Sequence, residues 1–309
     1  MKSLLNRQML AVLWIVWLCI YCVSPASAHS PHSVAPNLLI GTESTAQGLV
    51  EKDVLIFGVK IHYAESGTGP TVILLHGLGG NLQNWALNIA PLAAKFHVVI
   101  PDQVGFGKSD KPFINYRIGT YVDFLDQFCK QLKIERATLV GESMGGWIAA
   151  SYTLAFPDRV ERLVLVDAAG YPPPADFDNR TLYGLNPSTR AGMKQLTVKV
   201  FYNKLFSTDA VIDQVLGQRI AAGDGYTINS IVESIIRGED FLDKRVQAIK
   251  QPTLIMWGRQ DGLLSLSDGE RFKKDIPNST LIVFEQCGHV PNFEKAAEFN
   301  AALLKFLSP

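Results

Sequence analysis

An excess of charge of either sign is missing from this chain. Its 309 residues carry 29 Lys and Arg against 29 Asp and Glu, and only 19% of them are charged. There is no long basic run, so the electrostatic footprint of a nucleic-acid-binding protein is absent. Cysteine is scarce too. Cys19 and Cys22 lie in an N-terminal apolar run, which leaves Cys129 and Cys287 for the body of the chain. Two cysteines allow one bridge but build no disulfide framework. Cys129 shares a helical pattern with Val122, Leu125, Phe128 and Leu132, and Cys287 sits in a loop before His289, so the two are expected to stay unbridged. Internal repeats are lacking, and low complexity is confined to Pro172-Pro173-Pro174, which sets solenoid and disordered classes aside. What remains is a chain with 47% hydrophobic residues, long enough for one large α/β domain carrying an insertion.

The N-terminus reads separately. Lys2 and Arg7 precede an apolar run from Met9 to Val23, followed by Ser24-Pro25 and Ala26-Ser27-Ala28. A basic start, an apolar stretch and an A-x-A site make residues 1–28 a secretory signal peptide, and the protein is expected to be exported, periplasmic or secreted. Left uncleaved, the same segment would anchor the protein, and membrane contact is expected only in that case. Residues 29–50 read as an extended arm.

Strand and helix patterns then alternate. Short apolar, β-branched runs at 54–57, 59–64, 71–75, 97–100, 137–140, 162–166, 253–257 and 280–284 read as strands. Helical patterns cover about 82–94, 120–132, 145–155 and 294–307. The alternation predicts βαβ units and a mainly parallel sheet. It places the core in residues 51–171 and 251–309. Residues 172–250 break the rhythm with helical patterns alone, and such an insert between strands is expected to form a lid over the strand ends.

The stretch Gly141-Glu142-Ser143-Met144-Gly145 sits where an apolar run meets a small-residue helical run. This is a nucleophile elbow: the serine projects from a tight strand-to-helix turn, and side chains at Gly141 or Gly145 would crowd it. A serine hydroxyl needs a base and an orienting acid. Of the six histidines, His289 lies in a loop after the last strand and before the last helix, which brings it to the same sheet edge as Ser143. Asp261 follows the preceding strand in Trp257-Gly258-Arg259-Gln260-Asp261 and completes the chain order Ser, Asp, His. His76, Asp102 and Asp167 also lie at strand ends. His76 and Asp102 suit structural roles in their own loops, and Asp167 is the rival acid. The oxyanion hole is assigned to the backbone N–H groups of Leu78 and Met144.

Four motifs in order, His76-Gly-Leu-Gly-Gly80, Gly141-Glu-Ser-Met-Gly-Gly146, Trp257-Gly-Arg-Gln-Asp261 and Cys287-Gly-His-Val-Pro291, give the chain its resemblance to the α/β-hydrolase superfamily over Val59 to Phe306. The resemblance implies an α/β fold of the α/β-hydrolase type: a mainly parallel central sheet flanked by helices, with a helical lid insertion. Serine at the elbow sets it apart from the branches that carry Asp there. Within the superfamily it is most similar to the carbon–carbon bond hydrolases of meta-cleavage products, on Asn84-Trp85, Ser-Met-Gly-Gly and Cys-Gly-His. That likeness implies Trp85 and Arg219 at the substrate. Val290 and Phe293 stand where that branch has Trp. The expected activity is therefore hydrolysis of a carboxylic ester with an apolar or aromatic acyl group, with meta-cleavage dienoate hydrolysis as the alternative. A small-molecule substrate is expected, with no cofactor and no metal. A non-catalytic ligand-binding protein on the same fold would have no use for a complete triad. N-terminal sequencing of exported protein is expected to return His29 as the first residue; Met1 recovered from a membrane fraction would establish the anchor instead.

Overall fold

The computed structural model describes residues 48–308. The expected signal peptide and most of the expected arm lie outside the described residues. Eight strands form one sheet in the order β1-β2-β4-β3-β5-β6-β7-β8: β1 (Val50–Ile56), β2 (Val59–Ser66), β3 (Thr71–Leu75), β4 (His97–Pro101), β5 (Ala137–Glu142), β6 (Val160–Val166), β7 (Thr253–Gly258) and β8 (Ser279–Phe284). The β1–β2 and β2–β4 pairs are antiparallel, and all other pairs are parallel. No helix among the described residues is long and apolar enough to cross a membrane.

The central strands are apolar on both faces because both faces are covered. In β3, Ile73 and Leu75 enter one core while Val72 and Leu74 enter the other; β6 and β7 divide Leu163 and Leu165 from Val164 and Val166, and Ile255 and Trp257 from Leu254 and Met256. Helices α1 (Ala86–Ala93) and α8 (Ala296–Leu307) supply Ile89, Leu92, Phe299 and Leu303 to one core. Helices α2 (Ile118–Gln131) and α3 (Met144–Ala155) contribute Tyr121, Phe128, Trp147 and Ile148 to the other. Cys129 and Cys287 are free, buried and divided between these two cores. The helix expected from 82 to 94 begins as a 3-10 turn, Leu82–Trp85, before α1. Asn81 caps that turn: its side chain accepts from Gln83 N–H, and Asn84 reaches back to the Asn81 N–H at 3.3 Å.

Between β6 and β7 the described residues contain no strand. Helices α4 (Arg190–Val200), α5 (Asp209–Ala222) and α6 (Gly225–Ile236) fill the interval, with 3-10 turns at Asn179–Leu185, Lys204–Ser207 and Val246–Ala248. Thr189 caps α4 through Gly192 N–H at 3.2 Å. Helix α5 ends on Gly223 in the left-handed conformation that suits a glycine C-cap. From α6, Ile228, Ile231 and Val232 are buried in the core shared with α2 and α3. Apolar residues of α4 and α5, Leu196 and Val200 on one and Val211, Val215 and Leu216 on the other, are half-buried, as is Phe201 just past α4.

One helix was not legible in the sequence pattern: α7 (Leu266–Asp275), between β7 and β8. Its composition is mostly charged and polar, and only Gly269 and Phe272 are buried, so it carries no apolar stripe. Ser265 caps it, accepting from Ser267 N–H. Phe272 is fully buried, 4.4 Å from the Tyr171 ring and 6.5 Å from that of Trp257. Phe272→Ala is expected to cost about 3–5 kcal/mol of stability, because it removes the anchor of α7 and leaves a cavity. Chemical denaturation checks this: a loss below about 1 kcal/mol would show that the site collapses around the truncation.

Candidate active site

Ser143 joins β5 to α3 with φ 55° and ψ −118°. A non-glycine residue avoids this conformation unless its surroundings enforce it. Here the end of β6 and the loop after it do so from both sides: Ser143 N–H donates to Val166 O at 2.9 Å, and Ser143 O accepts from Ala169 N–H at 3.0 Å. The glycines leave room for the turn. A Cβ on Gly141 would lie 2.1 Å from Gly145 O, and one on Gly145 would lie 2.2 Å from Leu75 O.

The loop after β3 passes directly over the serine. A Cβ on Gly77 would lie 3.0 Å from Ser143 Cβ. Gly77 N–H donates to Glu142 Oε2 at 3.0 Å, and Gly80 N–H closes a turn on Gly77 O at 3.1 Å. Leu78 follows Gly77 in that turn. Met144 is the first residue of α3, where a backbone N–H has no partner within the helix. His76 anchors the same loop. Its Nδ1–H donates to Gly77 O at 2.8 Å, while its Nε2 accepts from Gln103 N–H at 3.0 Å. Complete burial holds its pKa below the ordinary histidine value, against the pull of Asp102. Asp102 ties down its glycine-rich loop, accepting from Leu82 N–H and Lys108 N–H, each at 2.7 Å. Both residues thus hold loops.

His289 and Asp261 come from the loops after β8 and β7. His289 is 4% exposed, and its Nδ1–H donates to Asp261 Oδ2 at 2.7 Å. Asp261 Oδ1 accepts from Leu263 N–H at 2.8 Å and Leu264 N–H at 3.0 Å, so its carboxylate takes three donors. The other imidazole nitrogen, Nε2, is 3.8 Å from Glu142 Oε1. Burial works against the imidazolium, but the Asp261 and Glu142 carboxylates outweigh it and raise the His289 pKa above its ordinary value. Burial raises the pKa of Glu142 as well, opposed by His289 and the Gly77 N–H. Glu142 was not singled out from the sequence. The signal was there: an acid inside an apolar strand, next to the candidate nucleophile.

A model of the alpha/beta hydrolase fold matches residues 70–296. The chain belongs to the alpha/beta hydrolase fold family. It is a hydrolase of that family, an enzyme rather than a binding module. The 2-hydroxy-6-oxononadienedioate/2-hydroxy-6-oxononatrienedioate hydrolase of Paraburkholderia phymatum is 34% identical over 272 residues, which cover 81% of this chain and 91% of the relative. Among solved structures, a meta-cleavage product hydrolase from Pseudomonas fluorescens superposes with a TM-score of 0.76 at 31% identity, covering 82% of this chain and 96% of that one. A membrane phospholipase A, described as a bacterial virulence factor, gives a TM-score of 0.75 at 31% identity, with 85% and 86% covered.

Two residues expected at the substrate of this alpha/beta hydrolase lie elsewhere or are already engaged. Trp85 is fully buried and packs on Phe299 at 6.3 Å, within the core beneath α1 and α8. The expectation of a substrate contact there is corrected: the indole fills the sheet's other face because Leu82 and Trp85 turn inward from the capped 3-10 turn. Arg219 does approach the site. Its guanidinium occupies the space a side chain on Gly79 would need, with Nη1 2.1 Å from the ideal Cβ position. It is also paired with the buried Asp224 at 3.2 Å, so its charge is already matched.

An NMR titration of the His289 ring is expected to give a pKa above 6.5. In Asp261→Asn it should fall, because the main charge opposing burial is gone and only Glu142 remains to favour the imidazolium. An unchanged value in the variant would show that Asp261 does not set the state of the ring.

Proposed function

We propose that this hydrolase cleaves carboxylic esters of an apolar or aromatic acyl group, using Ser143, His289 and Asp261. The Ser143 hydroxyl attacks the acyl carbon, and His289 Nε2 takes its proton and returns it to the leaving alcohol. Asp261 fixes the imidazole orientation through Nδ1 and stabilises the imidazolium. The Leu78 and Met144 N–H groups receive the charge that develops on the carbonyl oxygen. Water then repeats the sequence and releases the acid. The observation that carries this reading is the 2.7 Å His289–Asp261 hydrogen bond, at the sheet edge where Ser143 is held in its strained turn.

The segment 172–250 is read as a lid, because its main chain meets the histidine loop: His289 N–H donates to Val200 O at 2.7 Å. Its half-buried apolar faces favour an apolar acyl chain, and the Arg219–Asp224 pair argues against a bare cation awaiting a substrate carboxylate. A second reading, hydrolysis of a carbon–carbon bond in a meta-cleavage dienoate, is supported by the relatives that perform it and by the Arg219 guanidinium lying against Gly79. An exported protein, or one held by its uncleaved N-terminal segment, accords with the signal-like residues 1–28 and with the membrane phospholipase among the similar structures.

A panel of p-nitrophenyl esters of rising chain length, run beside a dienoate, tests the choice. Ser143→Ala is expected to abolish turnover and fluorophosphonate labelling while the protein stays folded, with kcat down by roughly 10⁴ or more. Comparable turnover in the purified variant would remove Ser143 from the mechanism. Arg219→Ala is expected to affect neutral esters and dienoates alike; a loss confined to carboxylate substrates would establish the carbon–carbon reading.

A further inference from the structure

The loop after β6 brings a second aspartate behind the imidazole. Asp167 is fully buried and held at φ 41°, a left-handed conformation uncommon outside glycine. Its N–H donates to Met256 O at 2.9 Å, and its Oδ1 accepts from Gly258 N–H at 2.9 Å. Its Oδ2 is buried and has no hydrogen-bond partner. One side-chain oxygen or nitrogen from each of Asp167, Asp261 and His289 lies within 4.8 Å of the others, and the two carboxyl groups are within hydrogen-bonding reach.

A buried carboxylate oxygen without a donor is costly, and a second carboxylate beside it makes it more so. The donors on the page decide which acid is ionised. Asp261 receives three: two backbone N–H groups and the His289 Nδ1–H. Asp167 receives one. We propose that Asp167 is a positioning residue that carries a proton on Oδ2 and donates it to the Asp261 carboxylate, making a carboxyl–carboxylate pair behind His289. The orphaned acceptor becomes a donor, and the Asp261 anion gains a fourth hydrogen bond.

Of the groups facing Asp167, all but one favour this state. Asp261, from the loop after β7, and Glu142, at the end of β5, both oppose a second anion there, as burial does most strongly; the Gly258 N–H alone counters them. His289 is already held by Asp261 Nδ1 to Oδ2, and Cys287 beside it stays a thiol, its pKa pushed up chiefly by burial. For catalysis, the extra hydrogen bond restrains the Asp261 carboxylate that orients the imidazole. The role of Asp261 in this inference rests on the triad proposed above; the protonation of Asp167 does not.

Infrared difference spectra at neutral pH separate the two. Wild type and the inactive Ser143→Ala protein are expected to show the carbonyl stretch of a protonated buried acid, lost in D167N and retained in E142Q. Absence of the band in wild type, or its survival in D167N, overturns the proposal whatever the activity. In kinetics, D167A is expected to lower kcat about 10–100-fold with little change in KM, the size of one hydrogen bond to a charged group. Its kcat/KM acid limb should move to higher pH, because the His289 imidazolium then faces an Asp261 carboxylate whose charge no Asp167 hydrogen bond shares. D167N is expected to restore most of the loss, since its amide offers an N–H to Asp261 and an oxygen to the Gly258 N–H. If D167N is as damaged as D167A, Asp167 acts as an anion and the proposal fails. Should D167A not fold, the same comparison is made with D167S.

Discussion

The whole site depends on one backbone distortion. Ser143 is held in a left-handed turn that no side chain at Gly141 or Gly145 would permit, and only the neighbouring strands make that turn stable. Its N–H and carbonyl are clamped by Val166 and Ala169, so the loop after β6 sets where the hydroxyl stands. A parallel sheet gathers its loops at one edge. The loops after β3, β5, β6, β7 and β8 therefore converge on this residue without any strand leaving the ladder.

Electrostatics then sorts these loops. Three buried carboxyl groups, Glu142, Asp167 and Asp261, surround one imidazole. They cannot all be charged at once in so dry a place, and their hydrogen-bond donors divide the roles. Asp261 has the richest donor set and accepts the imidazole N–H. Glu142 lies between the imidazole and the loop after β3, whose Gly77 N–H it accepts. Asp167 has the poorest set, and faces Asp261.

Much of this was legible in the sequence for a physical reason. Ser143, Asp261 and His289 each sit beside glycines that the turns require, directly after apolar runs whose burial on both faces marks them as central strands. Their order and spacing survive folding because each loop is tied to a strand end. Helix α7 was hidden because it is amphipathic only through Phe272 and Gly269. Trp85 was misplaced because an aromatic at a loop end does not announce which face of the sheet it will fill. The partner of Arg219 was out of sight for another reason: Asp224 lies just past the Gly223 cap, so their contact depends on where α5 stops rather than on helical spacing.

The main-chain link between the insert and the histidine loop has a consequence for motion. His289 N–H is bonded to Val200 O, Gly262 N–H to Lys199 O, and Glu294 receives the N–H groups of Tyr202, Asn203 and Gly288. The end of α4 is therefore tied by its main chain to the loops that carry His289 and Asp261, and it cannot swing as a flap without breaking those bonds. Further along the insert, Leu205 and Ile220 are exposed, while Ile212 of α5 is buried and Arg219 is paired with Asp224.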